Sequence, residues 1–380
     1  MKKYYNLFFN LAFPNKEPTK QQIKNLILKV SDLFTNLEAE RQADYMNSQE
    51  ILKGYLIYFV PVNLSKIYSI FSELAMHNKY LRKNELRIID LGCGPSPALV
   101  PIFHLIEEEK LKINHIRYAG IDSEEKALKI GEKIVKELKN EKVSIKAEFI
   151  KGDLLDLSLY KNLKDIKPDI ILFSNSLGEI FDKRGLNIDE FINLIKPFTY
   201  KNPELTLILI EPGTKRSSMR LHEIRDNLIE KLNFYPFSPC LNNLPCSALK
   251  AKNWCYEERK WSPPDYLFFL SSIGLQINYL KFSYVVLRKD NTNISDVFDT
   301  DGHIIKNTSH LLNEKGKVRL WACWNGKLID MEKLKRDLKE DDNWLKIKKG
   351  TYFSVDSVIF LSDRKVRIPK DSAIKLLYEP

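Results

Sequence analysis

Two groups of residues in this sequence have types and spacings suited to chemistry: a glycine turn that follows an apolar run, and a set of thiols far downstream. The turn reads Ile88-Ile89-Asp90-Leu91-Gly92-Cys93-Gly94-Pro95-Ser96-Pro97. An apolar strand ending on an acid, then Gly-x-Gly, then a helix, is an arrangement that accommodates a nucleoside. Gly92 and Gly94 let the backbone approach a ligand closely and permit positive φ. Asp90 stands at the carboxyl end of the strand, where crevice ligands of open parallel sheets bind. A dinucleotide fingerprint would need a third glycine, at position 97. Pro95, Ser96 and Pro97 fill that stretch, so a pyrophosphate fits poorly. A phosphate-free cofactor made of adenosine and an amino acid, S-adenosylmethionine, fits better.

Further polar residues fall at successive strand ends. Asp122 closes the second apolar run, in position to accept from ribose hydroxyls. Asp153, in KGDLLD, closes the third and can meet an adenine amino group. Asn175 and Ser176 close the fourth. The competing reading makes Asp122 and Asp153 helix N-caps, and one carboxylate can serve both roles. Cys93 reads as a small residue filling the turn. The segment Asn175-Ser176-Leu177-Gly178-Glu179 lacks the Pro-Pro-aromatic sequence of amino-directed base methyltransferases, so the catalytic residues stay unknown. Glu211, in IEPGT, either orients an acceptor or only shapes the Pro212-Gly213 turn.

Four of the five cysteines, Cys240, Cys246, Cys255 and Cys323, lie in the second half. Four soft ligands can close a tetrahedral zinc site or hold a four-iron cluster, and the spacing does not separate the two. Buried structural thiols are the plainer alternative. Pro239 and Pro245 stiffen the chain before two of the cysteines, while Trp254, Trp261 and Trp324 can shield a centre from water.

The elements that must position these groups follow from periodicity. Residues 19–54 repeat apolar positions at helical spacing, Pro61 is expected to break or start a helix, and another helix is expected over Ser65–Met76. From Leu86 the pattern alternates, with strands expected at 86–91, 116–122, 145–153, 169–176 and 205–213. A helix is expected at 124–140. This predicts an α/β doubly wound, mostly parallel sheet. The stretch 234–264 shows no strand period and reads as a Cys-rich insertion, pinned to the edge of the main sheet through Cys323. A helix at Tyr266–Ser272, a strand at Leu280–Arg288, a polar loop over 290–315 and a strand at Val318–Trp324 are expected beyond it. The resulting division is a helical region 1–80, a main domain 81–330 and a small β-rich appendage 331–380.

Sixty basic against fifty acidic side chains give a net charge of +10, which favours polyanionic partners. Lys215, Arg216, Arg220, Lys250, Lys252, Arg259 and Lys260 flank the thiols and the fifth strand, as phosphate contacts or as a merely solvated face. No stretch approaches the ~18 apolar residues of a membrane helix, so no membrane span is expected. The N-terminal run reads as mature sequence, with the cytoplasm as the default location and a monomer as the expected state.

Taken together, IIDLGCGPSP (88–97), LIEPGT (209–214), the Pro-Cys, Pro-Cys and Trp-Cys series, KFSYVVLRK (281–289), RLWACWNG (319–326) and YLIYFVPVNLSKI (55–67) resemble one family. It is the methyltransferase-like family associated with assembly of the mitochondrial small ribosomal subunit, with its bacterial relatives. The resemblance covers about residues 50–330. It implies a class I methyltransferase (Rossmann-like) fold, and a [4Fe-4S] cluster on Cys240, Cys246, Cys255 and Cys323. It also implies association with small-subunit ribosomal RNA or a pre-ribosomal particle. This chain departs from the family's Cys-Pro-His, Cys-Pro-Leu and Trp-Cys-His, reading Cys240-Leu241-Asn242, Cys246-Ser247-Ala248 and Trp254-Cys255-Tyr256 instead. Three functions remain open: an RNA-associated methyltransferase, a non-catalytic RNA-binding assembly factor, and a methyltransferase acting on a small molecule or protein.

Overall fold

From Glu85 onward, apolar runs alternate with amphipathic helices, and in the computed structural model of the protein they build a parallel sheet. The structure describes residues 1–15, 17–35, 48–77, 83–95, 98–138, 141–163, 166–182, 184–273 and 277–380. Strands β1 (Glu85–Leu91), β2 (His115–Asp122), β3 (Ser144–Lys151) and β4 (Ile170–Ser174) lie in the order β3-β2-β1-β4. All neighbours in this set run parallel. The helices Leu99–Glu107 and Glu125–Glu137 carry the chain from β1 to β2 and from β2 to β3. The next connection places β4 on the opposite side of β1. Strand order therefore reverses between β1 and β4, the point at which such sheets open a ligand crevice. This is the α/β, class I methyltransferase (Rossmann-like) fold.

Residues 1–176 and 260–280 form one compact unit. Its helical part comprises Lys2–Ala12, Lys20–Thr35 and a helical run from Gln49 to Met76; residues 36–47 of the expected helical stretch lie outside the described residues. Pro61 does not break that run. A proline has no N–H, so the carbonyl four residues earlier, on Ile57, loses its helical donor. A turn of π-helix at Tyr55–Phe59 absorbs the mismatch. The Tyr266 hydroxyl then donates to the Ile57 carbonyl at 3.1 Å. Tyr266 itself belongs to a 3₁₀ segment, Asp265–Ile273, rather than to the expected α-helix.

Residues 177–259 and 281–380 form the second unit. It contains β5 (Thr206–Pro212), β6 (Tyr235–Ser238), β7 (Glu257–Lys260) and β8 (Tyr279–Arg288). Here β8 runs antiparallel to both β5 and β6. The stretch 234–264 thus holds two short strands and a helix, Ser247–Lys250, where no regular structure was expected. A second sheet follows, from β9 (His303–Asn307), β10 (Leu312–Glu314), β11 (Lys317–Trp324), β12 (Lys327–Leu334), β13 (Tyr352–Val355), β14 (Ile359–Ser362), β15 (Lys365–Arg367) and β16 (Ile374–Tyr378). Its order is β14-β15-β12-β11-β9-β13-β16, with β10 beside β11.

This corrects three expectations. The polar loop over 290–315 contains β9 and β10. The boundary at 330 falls inside β12, whose hairpin with β11 pairs Trp324 with Lys327 and Lys317 with Leu334. Cys323 sits on an inner strand of the second sheet, between β12 and β9, and not at the edge of the main one. The physical reason is a shared core. Val318, Leu320, Ala322 and Trp324 of β11 pack with Ile329, Met331, Trp344, Phe353 and Val366.

Replacing Tyr266 by Phe removes its hydrogen bond to the Ile57 carbonyl and should lower unfolding free energy by about 1 kcal/mol. Urea denaturation of the two proteins measures this, and equal midpoints would contradict the role given to Tyr266.

Candidate functional site

The carboxyl ends of the parallel strands bring the predicted nucleoside-binding residues to one edge of the first unit. Gly92 leaves β1 with φ +78°, and a Cβ placed there would lie 2.4 Å from the Cβ of Ser176. No side chain fits. The Gly92 amide donates to the Ile121 carbonyl of β2 at 2.8 Å, and the Ser176 hydroxyl donates to the Leu91 carbonyl at 2.8 Å. The turn is thus stitched to the strands on both sides of β1. Ser96 and Pro97, where the third glycine of a dinucleotide site would fall, lie outside the described residues.

The carboxylates divide into two kinds. Asp122 accepts from the Gly94 amide at 2.8 Å and from the Glu124 amide at 2.9 Å. It braces the glycine turn while remaining only partly buried. Asp153 lies two residues beyond β3 and accepts from the Leu155 amide at 3.0 Å. Both therefore make the short-range backbone bonds of a cap or Asx turn. A carboxylate oxygen can accept from more than one donor, so a capping role and a ligand role are compatible in one residue. Asp90 differs. It is 1% exposed, and its Oδ2 accepts from the Ala98 amide at 2.9 Å and the Tyr118 hydroxyl at 2.7 Å. Its Oδ1 is buried with no hydrogen-bond partner among the described residues. Burial raises its pKa to about 6, against the opposing pull of those two donors.

Asn175 follows β4 with φ +58°, a conformation that asparagine tolerates better than most side chains. Its Nδ2 donates to Asn63 Oδ1 at 3.1 Å, tying the strand end to the helical N-terminal part. Cys93 is buried beneath the turn, and burial pushes its thiol well up, as suits a packing residue. Glu211 is spent within the second unit: it accepts from the Leu177 amide at 3.0 Å and pairs with Arg220 at 3.5 Å. Arg220 also reaches Asp182 at 2.7 Å, and Arg259 is 1% exposed over Phe282 and Tyr284. Neither arginine offers the free phosphate contact expected of it, whereas Lys215, Arg216, Lys250, Lys252 and Lys260 are exposed.

The four downstream cysteines converge in the second unit. Strict alternation along β11 turns Val318, Leu320, Ala322 and Trp324 into the core and Cys323 to the opposite face. There Cys323 lies 3.9 Å from the Ser247 hydroxyl. Electrostatic interaction couples Cys255 to each of Cys240, Cys246 and Cys323, so the thiols share one neighbourhood. Backbone bonds anchor each loop cysteine. Asn293 donates to the Cys240 carbonyl at 2.9 Å, Asp226 accepts from the Cys246 amide at 2.9 Å, and His222 Nε2 accepts from the Cys255 amide at 3.0 Å. Burial raises the Cys246 thiol to about 11 and the Cys323 thiol to about 12, so without a cation they stay protonated. No group of three His, Cys, Asp or Glu among the described residues is arranged to hold one metal ion.

Sequence patterning left several supporting residues unassigned: Asn63, Tyr118, His222, Arg225 and Asp226. A usable signal existed for Arg225. In the Lys215–Leu232 helix it shares a face with the buried Leu221, Ile224 and Leu228, an unusual place for a charge.

The family described as mitochondrial small ribosomal subunit Rsm22 matches residues 49–335, most of the chain. The protein belongs to the Rsm22 family. No curated protein matches the chain. Among solved structures, this Rsm22-family chain is similar to the plantazolicin methyltransferase BpumL in complex with SAH, at 16% identity and TM-score 0.33, over 70% of this chain and 98% of that one. It is similar to a class I S-adenosylmethionine-dependent methyltransferase from Listeria monocytogenes, at 10% identity and TM-score 0.34, over 79% and 95%. A SAM-dependent methyltransferase from Archaeoglobus fulgidus is similar at 15% identity and TM-score 0.29, over 58% and 94%.

Asp90 gives this Rsm22-family protein a pH signature. Its folded pKa lies above the unfolded one, so between about 4 and about 6 the unfolded chain has released a proton that the folded chain keeps. Stability should fall as pH rises through that window, by about 2–3 kcal/mol in all. Asp90→Asn should lack this loss, so its advantage over wild type in guanidinium denaturation should grow from acid to neutral pH. Parallel pH profiles for the two proteins would contradict the buried, half-satisfied carboxyl.

Proposed function

We propose that this protein binds S-adenosylmethionine at the β1–β4 switch point and acts as a methyltransferase on small-subunit ribosomal RNA during ribosome assembly. The observation that carries the reading is the turn Gly92–Gly94 between Asp90 and Asp122, set where strand order reverses between β1 and β4. In this reading Asp122 accepts from the ribose hydroxyls and Asp153 from the adenine amino group. Asp90 Oδ1, left over after Ala98 and Tyr118 have been served, takes a donor from the ligand's amino-acid end, and Asn175 lines the same edge. The bound cofactor supplies a methyl group on a positively charged sulfur. The protein's part is then to orient an acceptor and exclude water, which needs no strong acid or base. The family's name ties its members to the small ribosomal subunit, and the net charge of +10 with exposed Lys215, Lys250 and Lys252 supports a polyanionic partner.

Cys240, Cys246, Cys255 and Cys323 form the second part of the proposal, as ligands of a [4Fe-4S] cluster. Four thiols in one neighbourhood, each anchored through its backbone, fit a polynuclear centre. Such a centre offers every ligand its own iron, so the thiolates need not crowd around a single ion as they do on zinc. A non-catalytic assembly factor is the second reading, favoured by the saturation of Glu211, the acid that would otherwise orient an acceptor.

Titration calorimetry with S-adenosylmethionine tests the first part. Wild type should bind and Gly92→Val should not, because its side chain would collide with Ser176; absence of heat from folded wild type would remove the cofactor. Incubation of the protein with small-subunit ribosomal RNA and methyl-labelled cofactor separates the two readings, since transfer of label marks an enzyme and binding of both without transfer marks a platform. For the thiols, anaerobic protein should carry iron and sulfide and lose both in Cys323→Ser. Zinc in their place would replace the cluster by a zinc site.

A further inference from the structure

The cluster reading of the thiols leaves a buried cation beside them with a donor to spare. Arg225 is 3% exposed. Its Nη1 donates to the Leu244 carbonyl at 2.8 Å and its Nη2 to the Asn242 carbonyl at 2.6 Å. Nη1 also pairs with Asp226, whose carboxylate accepts from the Cys246 amide at 2.9 and 3.1 Å. One planar fork therefore holds two carbonyls, those of Asn242 and Leu244, in the span between Cys240 and Cys246, and the next residue of the helix accepts from the amide of Cys246 itself. Lysine could not do this, having a single rotating ammonium in place of a rigid fork.

Two donors near the thiols are unspent. Arg225 Nε is buried without a hydrogen-bond partner among the described residues, and so is the indole nitrogen of Trp254, the residue before Cys255. Arg225 lies in electrostatic reach of Cys240 and Cys246. Leaving a charged group's donor buried and unmet costs free energy that an incoming anion would return. A centre held by four thiolates is such an anion, and hydrogen bonds to its sulfurs, together with nearby charge, set its reduction potential.

We propose that Arg225 is the positioning residue and counter-charge of the cysteine centre: its two terminal nitrogens shape the Cys240–Cys246 loop, and its Nε–H donates to a sulfur of the bound cluster. This inference rests on the cluster reading above. Loss of the guanidinium removes both the loop clamp and a positive charge. The clamp governs how long the centre is retained, and the charge favours its reduced, more negative form.

The test uses the full chain reconstituted anaerobically with iron and sulfide, as wild type, Arg225→Met and Arg225→Lys, with folding followed by circular dichroism. Arg225→Met should release iron to a chelator at least about ten-fold faster than wild type and show a lower reduction potential. Arg225→Lys should release iron faster too, yet keep a potential close to that of wild type, because it retains the charge and loses the fork. A loaded wild type with Arg225→Met unchanged in both readouts overturns the inference while the cluster stands. Wild type that takes up neither iron nor sulfide overturns the cluster and the inference together. Should Arg225→Met fail to fold, Arg225→Lys decides: wild-type chelator resistance in that variant refutes the clamp.

Discussion

The first unit depends on a contact that only glycine permits: the end of β1 must pass directly against the end of β4. With Gly92 at φ +78° and Ser176 where its Cβ would be, the two strands close to the point at which Ser176 bonds the last β1 carbonyl. That contact is possible because β4 lies on the other side of β1 from β2 and β3. The reversal sends neighbouring connections away from each other and leaves a gap at the strand ends. Backbone amides, the Asp122 carboxylate and the Asp90 carboxyl then collect around the same turn.

Polar groups are buried in two different ways in the molecule. Asp90 is buried with one oxygen satisfied twice and the other by nothing among the described residues, an arrangement that costs the folded state and that a ligand donor would relieve. The cysteine-bearing loop is held differently. It has little apolar core, and its position comes from backbone bonds to His222, Arg225, Asp226 and Asn293, with Cys323 presented on the outer face of a strand whose inner face is part of a full core.

Much of this was legible in the sequence, for a physical reason. Strand alternation and the Asp-Leu-Gly-Cys-Gly turn are local signals, and strands β1 to β5 appear within two residues of their expected ends. The four cysteines announce themselves by rarity and by chemistry. Illegible parts depend on partners distant in sequence. Pro61, expected to break or start a helix, stands in the first turn of the Val60–Met76 helix directly after a π-helical turn, and the hydrogen bond that Tyr266 gives the Ile57 carbonyl there comes from some two hundred positions away. The strands β9 and β10 are short and polar, and form only against β11 and β13. Likewise the service of Arg220 and Arg259 as buried ion-pair and ring-stacking residues could not be told from surface charge without knowing which helix and strand faces are covered. The 331–380 appendage was misdrawn because hydropathy marks strands but not the sheet to which they belong.

The most direct measurement is a crystal structure of the complex with S-adenosylhomocysteine. The account predicts density over Gly92–Gly94 at the β1–β4 gap, with ribose hydroxyls on Asp122 and a donor on Asp90 Oδ1. A ligand bound elsewhere, or those carboxylates unengaged at saturating ligand, would contradict it.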